Sequence, residues 1–335
     1  MSTRLLSTPV LAGALLALSL SCAQAQSFSF GLWGDLPYQK AGDVPKIPAL
    51  LKSINQSDIA FSIYDGDIKD GVSKCSDDIY AAALTMFGQL KKPVVYVPGD
   101  NEWTDCHRLN NGGYDALERL AYLRKTMFPS ASSLGQRQLP LAHQGQPGEK
   151  FYENTRFSYK RIVFAGLNMP GSNNNVTKDD KDCAYLSARS PAQCEAANAE
   201  YLERDAANVA WMRQAFEVAK KQKSPGIVLV VQADPGFDLP ETQAIDESQA
   251  AHFSGYRNFM AQLTRETEQF KGQVLFVHGD THFFKLDKPL YSPYKLLPNF
   301  TRLETFGSPL VHWVRVTVNP KSANVFTVQP VIVKQ

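Results

Sequence analysis

Short apolar runs alternate with amphipathic segments along the first half of the chain. Runs with the length of strands cover about residues 28–33, 59–64 and 94–97, and each is followed by apolar residues at helical spacing. The predicted helices lie near residues 47–54, 79–90 and 114–127. A regular alternation of strand and helix predicts a parallel β-sheet with helical crossovers.

The pattern changes after about residue 150. Two adjacent strands are predicted between residues 157 and 168, followed by a polar segment that extends to Cys194. Further elements are predicted as helices at about 199–221 and 249–268, strands at 227–231 and 274–277, and antiparallel strands at 311–318 and 323–333. We therefore predict an α/β fold of two mixed β-sheets flanked by helices, in a single domain that covers residues 26–335.

The first 25 residues have the pattern of an export signal rather than of a folded segment. Arg4 provides a positive charge, residues 11–20 are apolar, and a small-residue cleavage site ends at Ala25. We predict cleavage between Ala25 and Gln26 and export to the periplasm or the extracellular space. No later apolar run approaches the ~18 residues that a membrane-spanning helix requires.

Four cysteines remain after the predicted cleavage: Cys75, Cys106, Cys183 and Cys194. An even number of cysteines in an exported protein predicts two disulfides, and four cysteines allow three pairings. Cys75 and Cys106 each follow one of two predicted neighbouring strands, so their loops should lie side by side. We therefore expect Cys75 to pair with Cys106, and Cys183 to pair with Cys194.

The charge of the chain is nearly balanced, with 35 lysines and arginines against 33 aspartates and glutamates. There is no dense basic run, so the sequence contains no signal for nucleic acid or for anionic lipid as a partner. No feature of the sequence predicts an oligomeric state.

Four strand-like runs end in Gly-Asp, which places Asp35, Asp67, Asp100 and Asp280 directly after predicted strands. Open α/β folds build their sites at the carboxyl ends of strands, so these carboxylates can converge on one point. Four converging carboxylates repel each other unless cations hold them together. The pattern predicts a metal site, and a hydrolytic metalloenzyme is the leading functional hypothesis.

The order of these motifs resembles that of the calcineurin-like metallophosphoesterases. The matching segments are Gly34-Asp35, Gly66-Asp67-Ile68-Lys69-Asp70, Gly99-Asp100-Asn101-Glu102 and Gly279-Asp280-Thr281-His282. The resemblance covers about residues 28–318. It implies a four-layered α/β/β/α sandwich with two metal ions at the carboxyl ends of the central strands, and a small-molecule phosphoester as substrate.

The resemblance also implies a role for each matching ligand. Asp35 and His282 would bind the first ion, and Asp67 would bridge both ions. Asp100 stands where the family has an asparagine on the second ion, and Asp280 stands where it has a histidine. Both would bind that second ion.

Other positions depart from the family's motifs. Pro37 occupies the place of a usual histidine. Where the family has a histidine on the second ion, this sequence offers Gln232 as the ligand, or Asp234 two residues later. Asn101 replaces a histidine that usually acts on the substrate. Asn101 can donate a hydrogen bond to a phosphate oxygen but cannot protonate a leaving group. His107 is the second candidate catalytic residue, provided that its loop folds back over the site.

The replacement of imidazole by carboxylate also changes the expected metal. Harder ions such as Mn²⁺, Mg²⁺ or Ca²⁺ are favoured over Zn²⁺, and the site would bind one or two of them. The leading prediction is an exported metal-dependent phosphoesterase, which hydrolyses a phosphomonoester or phosphodiester with a metal-activated water. The alternative is a non-catalytic protein of the same fold that binds an anionic ligand or a partner and holds at most a structural ion.

Overall fold

The computed structural model of the protein describes residues 26–237 and 249–334. The predicted export signal, residues 1–25, lies outside the described residues. The strands are β1 (Phe28–Trp33), β2 (Ser62–Tyr64), β3 (Val94–Tyr96), β4 (Ala142–His143), β5 (Thr155–Tyr159), β6 (Ile162–Gly166), β7 (Gly226–Val230), β8 (Gln273–His278), β9 (Lys285–Asp287), β10 (Tyr291–Ser292), β11 (Lys295–Leu296), β12 (Phe300–Glu304), β13 (Trp313–Val318) and β14 (Phe326–Val331). The helices are α1 (Ile47–Gln56), α2 (Asp77–Gly88), α3 (Ala116–Met127), the short turn α4 (Gly171–Asn174), α5 (Asp180–Ala184), α6 (Pro191–Lys221) and α7 (Arg257–Gln269).

The long strands form two mixed sheets. The first has the order β14-β13-β1-β2-β3, in which β1, β2 and β3 are parallel and β13 is antiparallel to β1. The second has the order β4-β5-β6-β7-β8-β12-β9, in which β6, β7, β8 and β12 are parallel. The predicted two mixed sheets are therefore confirmed.

The two sheets pack face to face, and helices cover their outer faces. Alternate side chains of each strand lie between the sheets, as Phe30 of β1 and Leu275 of β8 do. The opposite face of the first sheet packs on α1, α2 and α3, and that of the second sheet packs on α6 and α7. This period of two along each strand produces the predicted α/β/β/α layers.

Helix α6 begins earlier than the apolar spacing predicts. Its N-cap is Ser190, whose side chain accepts from the backbone N–H of Gln193 while the Gln193 side chain bonds back to the cap residue. Pro191 occupies the first turn. This capping box begins the helix before its buried face becomes periodic, so the predicted polar segment is shorter than expected.

Both expected disulfides are present. Cys75 is bonded to Cys106 across 31 residues, and Cys183 is bonded to Cys194 across 11 residues. In the described part of the chain, no helix is both long enough and apolar enough to cross a bilayer.

Candidate metal centre

The four predicted aspartates lie at the carboxyl ends of parallel strands of both sheets. Asp35 follows β1, Asp67 follows β2 and Asp100 follows β3, whereas Asp280 follows β8 of the other sheet. The backbone N–H of Asp280 donates to both carboxylate oxygens of Asp35, at 3.2 and 3.4 Å. This contact joins the ends of the two sheets and brings all four side chains to one place.

Glycine precedes these aspartates because the strand ends approach each other closely. A Cβ on Gly99 would collide with the Asp67 carboxylate, and a Cβ on Gly279 would collide with that of Asp35. Asp67 and Asp280 adopt positive φ angles of 62° and 73°, a region that aspartate and asparagine enter more readily than most residues do. The Gly-Asp pattern therefore reflects the close approach that brings carboxylates from different strands together.

Asp67 is the best-connected member of the group. Its Oδ1 accepts from the backbone N–H of Asn101 at 3.1 Å. Its Oδ2 accepts from the Asn101 side-chain amide at 2.6 Å and from the Tyr38 hydroxyl at 2.9 Å. The Asn101 amide also donates to the Tyr38 oxygen at 3.0 Å. Asn101, a predicted catalytic residue, thus touches the predicted bridging ligand directly.

His282 points one ring nitrogen into the same group. Its Nδ1 lies 2.8 Å from the carbonyl oxygen of Ser308, which can only accept, so Nδ1 carries a proton. Its Nε2 then faces inward, 3.4 Å from Asp35 Oδ1 and 3.2 Å from the Tyr38 hydroxyl. This backbone contact fixes the ring orientation in which Nε2 can bind a metal.

The protonation of His282 depends on Asp35. Burial lowers the pKa of His282, but the hydrogen bond to Asp35 and the negative charge of Asp35 outweigh burial and raise the pKa above its usual value.

Gln232 follows β7 and presents its amide nitrogen to the aspartates. Its Oε1 accepts from the backbone N–H of Gly171 at 2.5 Å, and this donor fixes the orientation of the amide. Its Nε2 donates to Asp100 Oδ1 at 3.2 Å and to Asp280 Oδ1 at 3.3 Å. The Ser172 hydroxyl donates to the other Asp100 oxygen at 2.6 Å. The amide therefore lies between two carboxylates that a shared cation would otherwise join.

The electrostatics of the group favour a cation. Burial, followed by the charges of neighbouring carboxylates, raises the pKa of Asp67 and that of Asp280 well above their usual value. Burial also raises the pKa of Asp35, although His282 opposes the shift. A divalent ion beside these carboxylates would favour their ionised forms and oppose this shift of the pKa. The oxygen-rich donors of Asp35, Asp67, Asp100 and Asp280, with His282, fit a hard divalent ion.

Glu102 supports the loop that carries Asp100. It is fully buried, and its Oε1 accepts from the backbone N–H groups of Asp67 and Gly99 at 3.1 and 2.7 Å. The Tyr96 hydroxyl donates to the same oxygen at 2.8 Å. The glutamate of the Gly-Asp-Asn-Glu motif therefore ties the ends of β2 and β3 together.

A second group of possible ligands lies beside the first. Asp234, His278 and Glu304 place one ligand atom each within 4.8 Å of one another. His278 Nδ1 contacts the Gly279 carbonyl at 3.0 Å, while its buried Nε2 has no hydrogen-bond partner. The Lys285 ammonium lies 3.8 Å from Glu304 and offsets part of the charge of this group.

Sequence reasoning assigned no role to His278 or Glu304. His278 directly precedes the fourth Gly-Asp, which was an available signal. Glu304 ends β12, a strand that the apolar pattern did not predict, so no sequence signal pointed to it.

His107 lies outside the hydrogen-bond network of Asp67. Its Nδ1 contacts the Ser187 hydroxyl at 2.8 Å, and its side chain lines a neighbouring cavity. Burial lowers the pKa of His107 to about 3, with the positive charges of Arg189 and Arg108 adding to the effect. His107 is therefore neutral at physiological pH. The roles of His107, Asn101 and the six possible ligands remain predictions.

Comparison with known proteins supports the fold. The protein PhoD superposes with a TM-score of 0.55 at 12% sequence identity, over 88% of this chain and 64% of the PhoD chain. The chain therefore spans less than two thirds of the length of that relative. The fold is metallophosphoesterase-like. No model of a known protein family matches the sequence, and no curated protein is significantly similar to it.

Two further structures show weaker likeness to this chain. GAP50, the anchor in the inner membrane complex of Plasmodium, has a TM-score of 0.45 and 14% identity over 92% of this chain and 90% of its own. The sulfate thiohydrolase SoxB from Thermus thermophilus has a TM-score of 0.43 and 13% identity over 86% of this chain and 42% of its own. At these scores neither likeness supports an argument about this protein.

Proposed function

We propose that the protein is an exported, metal-dependent phosphoesterase. The observation that carries the proposal is the convergence of Asp35, Asp67, Asp100 and Asp280, with the Nε2 atom of His282, at the carboxyl ends of strands in a metallophosphoesterase-like fold. The predicted export signal and the two disulfides support the compartment.

The residues divide into two sides of one centre. Asp35 and His282 would hold an ion on one side, Asp100 and Asp280 on the other, and Asp67 would face both. When bound, Mn²⁺, Mg²⁺ or Ca²⁺ would supply charge neutralisation and an activated water.

Two neutral side chains of the chain act on the substrate in this scheme. The Asn101 amide, whose two N–H groups now donate to Asp67 and Tyr38, would exchange one of these bonds for a phosphoryl oxygen and help to orient it. Tyr38 keeps its proton, because burial and the charges of Asp67 and Asp35 raise its pKa well above the usual value. Its hydroxyl is therefore a second hydrogen-bond donor toward a phosphoryl oxygen.

A non-catalytic role is the second candidate, and a specific observation favours it. The Tyr38 hydroxyl and the Gln232 amide donate to the same carboxylates that would bind metal. Each donor must turn aside before an ion can enter. If they stay in place, the protein would bind an anionic ligand or a partner without turnover.

Metal binding and turnover separate the two candidates. We would remove metals from the purified protein with EDTA and measure its melting temperature and its metal content after adding Mn²⁺, Mg²⁺, Ca²⁺ or Zn²⁺. Hydrolysis of 4-nitrophenyl phosphate and bis(4-nitrophenyl) phosphate would be followed under the same conditions. We expect a hard ion to raise the melting temperature, and we expect hydrolysis only when that ion is bound.

The variant Asp67→Asn identifies the site. We expect kcat/KM to fall on the order of a hundredfold or more, beyond the effect typical of residues that only support a metal ligand. Asp58→Asn is the matched control, because the Asp58 side chain is 83% exposed and lies far from the strand ends. Turnover that survives Asp67→Asn would sink the enzyme hypothesis, whereas metal binding without any turnover would favour the second candidate.

A further inference from the structure

A polar cavity of about 220 Å³ adjoins the candidate metal centre. Residues 104–108 and 172–178 and the segment 182–189 contribute to its walls. Ser172 belongs to both places, because its hydroxyl donates to Asp100 Oδ2 at 2.6 Å and accepts from Arg108 Nη2 at 3.0 Å. The cavity therefore begins one side chain away from a predicted metal ligand.

The lining of the cavity is cationic on balance. Arg108, Lys178 and Arg189 contribute three positive charges, and Asp105 and Asp182 contribute two negative charges. Asp105 is already paired with Arg108, at 2.5 Å. The Asp182 carboxylate accepts from the backbone N–H of Lys178 at 3.0 Å.

Arg189 has no ion pair with a carboxylate among the described residues, and it lies deeper in the cavity wall than the exposed Lys178. Its guanidinium donates to the Asn175 side-chain oxygen at 2.8 Å and to the Thr104 carbonyl at 3.4 Å, and both oxygens are neutral. Burial lowers the pKa of Arg189 to about 10, although more distant carboxylates oppose the shift. A partly buried guanidinium with neutral partners is well suited to bind an oxyanion.

The walls of the cavity are held in place before any ligand arrives. The backbone N–H of Ala188 donates to the His107 carbonyl at 2.9 Å, and that of Leu109 donates to the Leu186 carbonyl at 2.9 Å. The Cys75–Cys106 disulfide anchors one of the two joined loops, and the Cys183–Cys194 disulfide anchors the other. Such preorganisation lowers the entropy lost on binding.

We propose that this cavity binds a second anionic group of the substrate, a phosphate or a carboxylate, through Arg189 and Arg108. The inference rests on the proposed function, because the scissile phosphoester would occupy the aspartate centre beyond Ser172. A water molecule takes up about 30 Å³ of liquid, so the cavity has room for roughly seven waters or one small oxyanion. The substrate class is therefore a phosphoester that carries another negative charge, such as a bisphosphate or a phosphorylated acid.

Matched substrates test this specificity. We would compare kcat/KM for phenyl phosphate, 4-carboxyphenyl phosphate and benzene-1,4-diyl bisphosphate, which share one phenyl ester and differ in the second group. The native protein should prefer one or both charged substrates, and the better of the two distinguishes a carboxylate from a phosphate. In Arg189→Gln this preference ratio should fall about tenfold or more, the loss expected for one charge-assisted hydrogen bond, mainly through KM.

Two controls separate the charge from the fold. Arg189→Lys keeps the charge and should restore part of the preference. Arg213→Gln changes an arginine on α6 whose side chain is 58% exposed, and it should leave the ratio as it is in the native protein. Lys178→Gln removes a charge from the exposed rim of the cavity and should also lower the preference ratio. This variant provides the test if Arg189→Gln does not fold.

A binding measurement makes the inference independent of turnover. We would titrate inorganic phosphate into the protein in EDTA by calorimetry, and expect binding that weakens about tenfold in Arg189→Gln. If the native protein binds phosphate in this way but hydrolyses no substrate, the proposed function fails and the anion site stands. If hydrolysis is observed without any preference for charged substrates, or phosphate binding is absent or insensitive to Arg189→Gln and Lys178→Gln, the anion site is refuted.

Discussion

Replacing Asp280 with asparagine should stabilise the metal-free protein and weaken its response to divalent ions. The two side chains have the same shape, and asparagine tolerates the φ of 73° at this position. In the native protein the backbone N–H of Asp234 donates to Asp280 Oδ2 at 3.2 Å, and the side-chain oxygen of asparagine can keep this hydrogen bond. The substitution therefore removes a negative charge with little change in geometry.

The expected gain follows from the position of the Gln232 amide. Its Nε2 lies 3.2 Å from Asp100 Oδ1 and 3.3 Å from Asp280 Oδ1, so these oxygens are separated by no more than the sum of the two distances, about 6.5 Å. Two unit charges at that separation repel by about 2.5 kcal/mol at an effective dielectric constant of about 20. Loss of the hydrogen bond from Gln232 to this carboxylate, which is long at 3.3 Å, costs about 1.5 kcal/mol, the lower end for a charged acceptor. The net gain in the free energy of unfolding is then about 1 kcal/mol.

Thermal unfolding with and without metal measures both effects. In EDTA at pH 8, Asp280→Asn should melt roughly 2 °C above the native protein, at about 2 °C per kcal/mol. With saturating Mn²⁺ the order should reverse, because the variant has lost a ligand oxygen and a charge. Asp58→Asn breaks an exposed ion pair with Arg315, so it should lower both melting temperatures slightly and equally and leave the response to Mn²⁺ unchanged. A variant that melts below the native protein in EDTA would show that charge repulsion does not dominate this cluster.

Three other substitutions test parts of the fold that support the site. Burial lowers the pKa of His107 from 6.5 to about 3 in the folded protein, so the unfolded chain binds a proton that the folded protein excludes between these pH values. The free energy of unfolding therefore falls as pH drops from 6.5 toward 3. His107→Asn should reduce this loss of stability, measured by urea titrations across that range. Joint replacement of Cys75 and Cys106 by serine removes a bridge over 31 residues and should lower the free energy of unfolding by about 3–4 kcal/mol, measured in guanidinium chloride. Glu153→Gln breaks a buried bidentate pair with Arg124, at 2.7 Å for both contacts, and should cost about 3–5 kcal/mol, whereas a cost below 1 kcal/mol would contradict the burial of that pair.

The apolar pattern predicted strands with a clear apolar run more successfully than short strands rich in polar residues. Strands β7 and β8 consist almost entirely of apolar residues with clear ends, so the sequence alone located them. Strands β9 and β12 were not predicted. Each has polar residues in a short segment, and pairing with a neighbour rather than local preference makes them strands.

The site residues also fall into those that the sequence identified and those that it did not. The Gly-Asp motifs identified Asp35, Asp67, Asp100 and Asp280 because strand ends have a local signature. Tyr38 was given no role, yet its hydroxyl contacts Asp67 and His282. That contact joins residues far apart in the chain, and no local pattern contains it.

The sequence by itself determined the layered α/β fold, the location of the acidic centre and the two disulfide pairs. Each of these depends on local information: the period of apolar residues, the residue that follows a strand, or the number and placement of cysteines. The tertiary structure alone decided which atoms face the carboxylates. It turned the nitrogen of the Gln232 amide toward them, because the Gly171 N–H occupies the oxygen. It also placed Arg189 beside the centre, because two disulfide-anchored loops meet there, and such long-range contacts leave no mark in the local sequence.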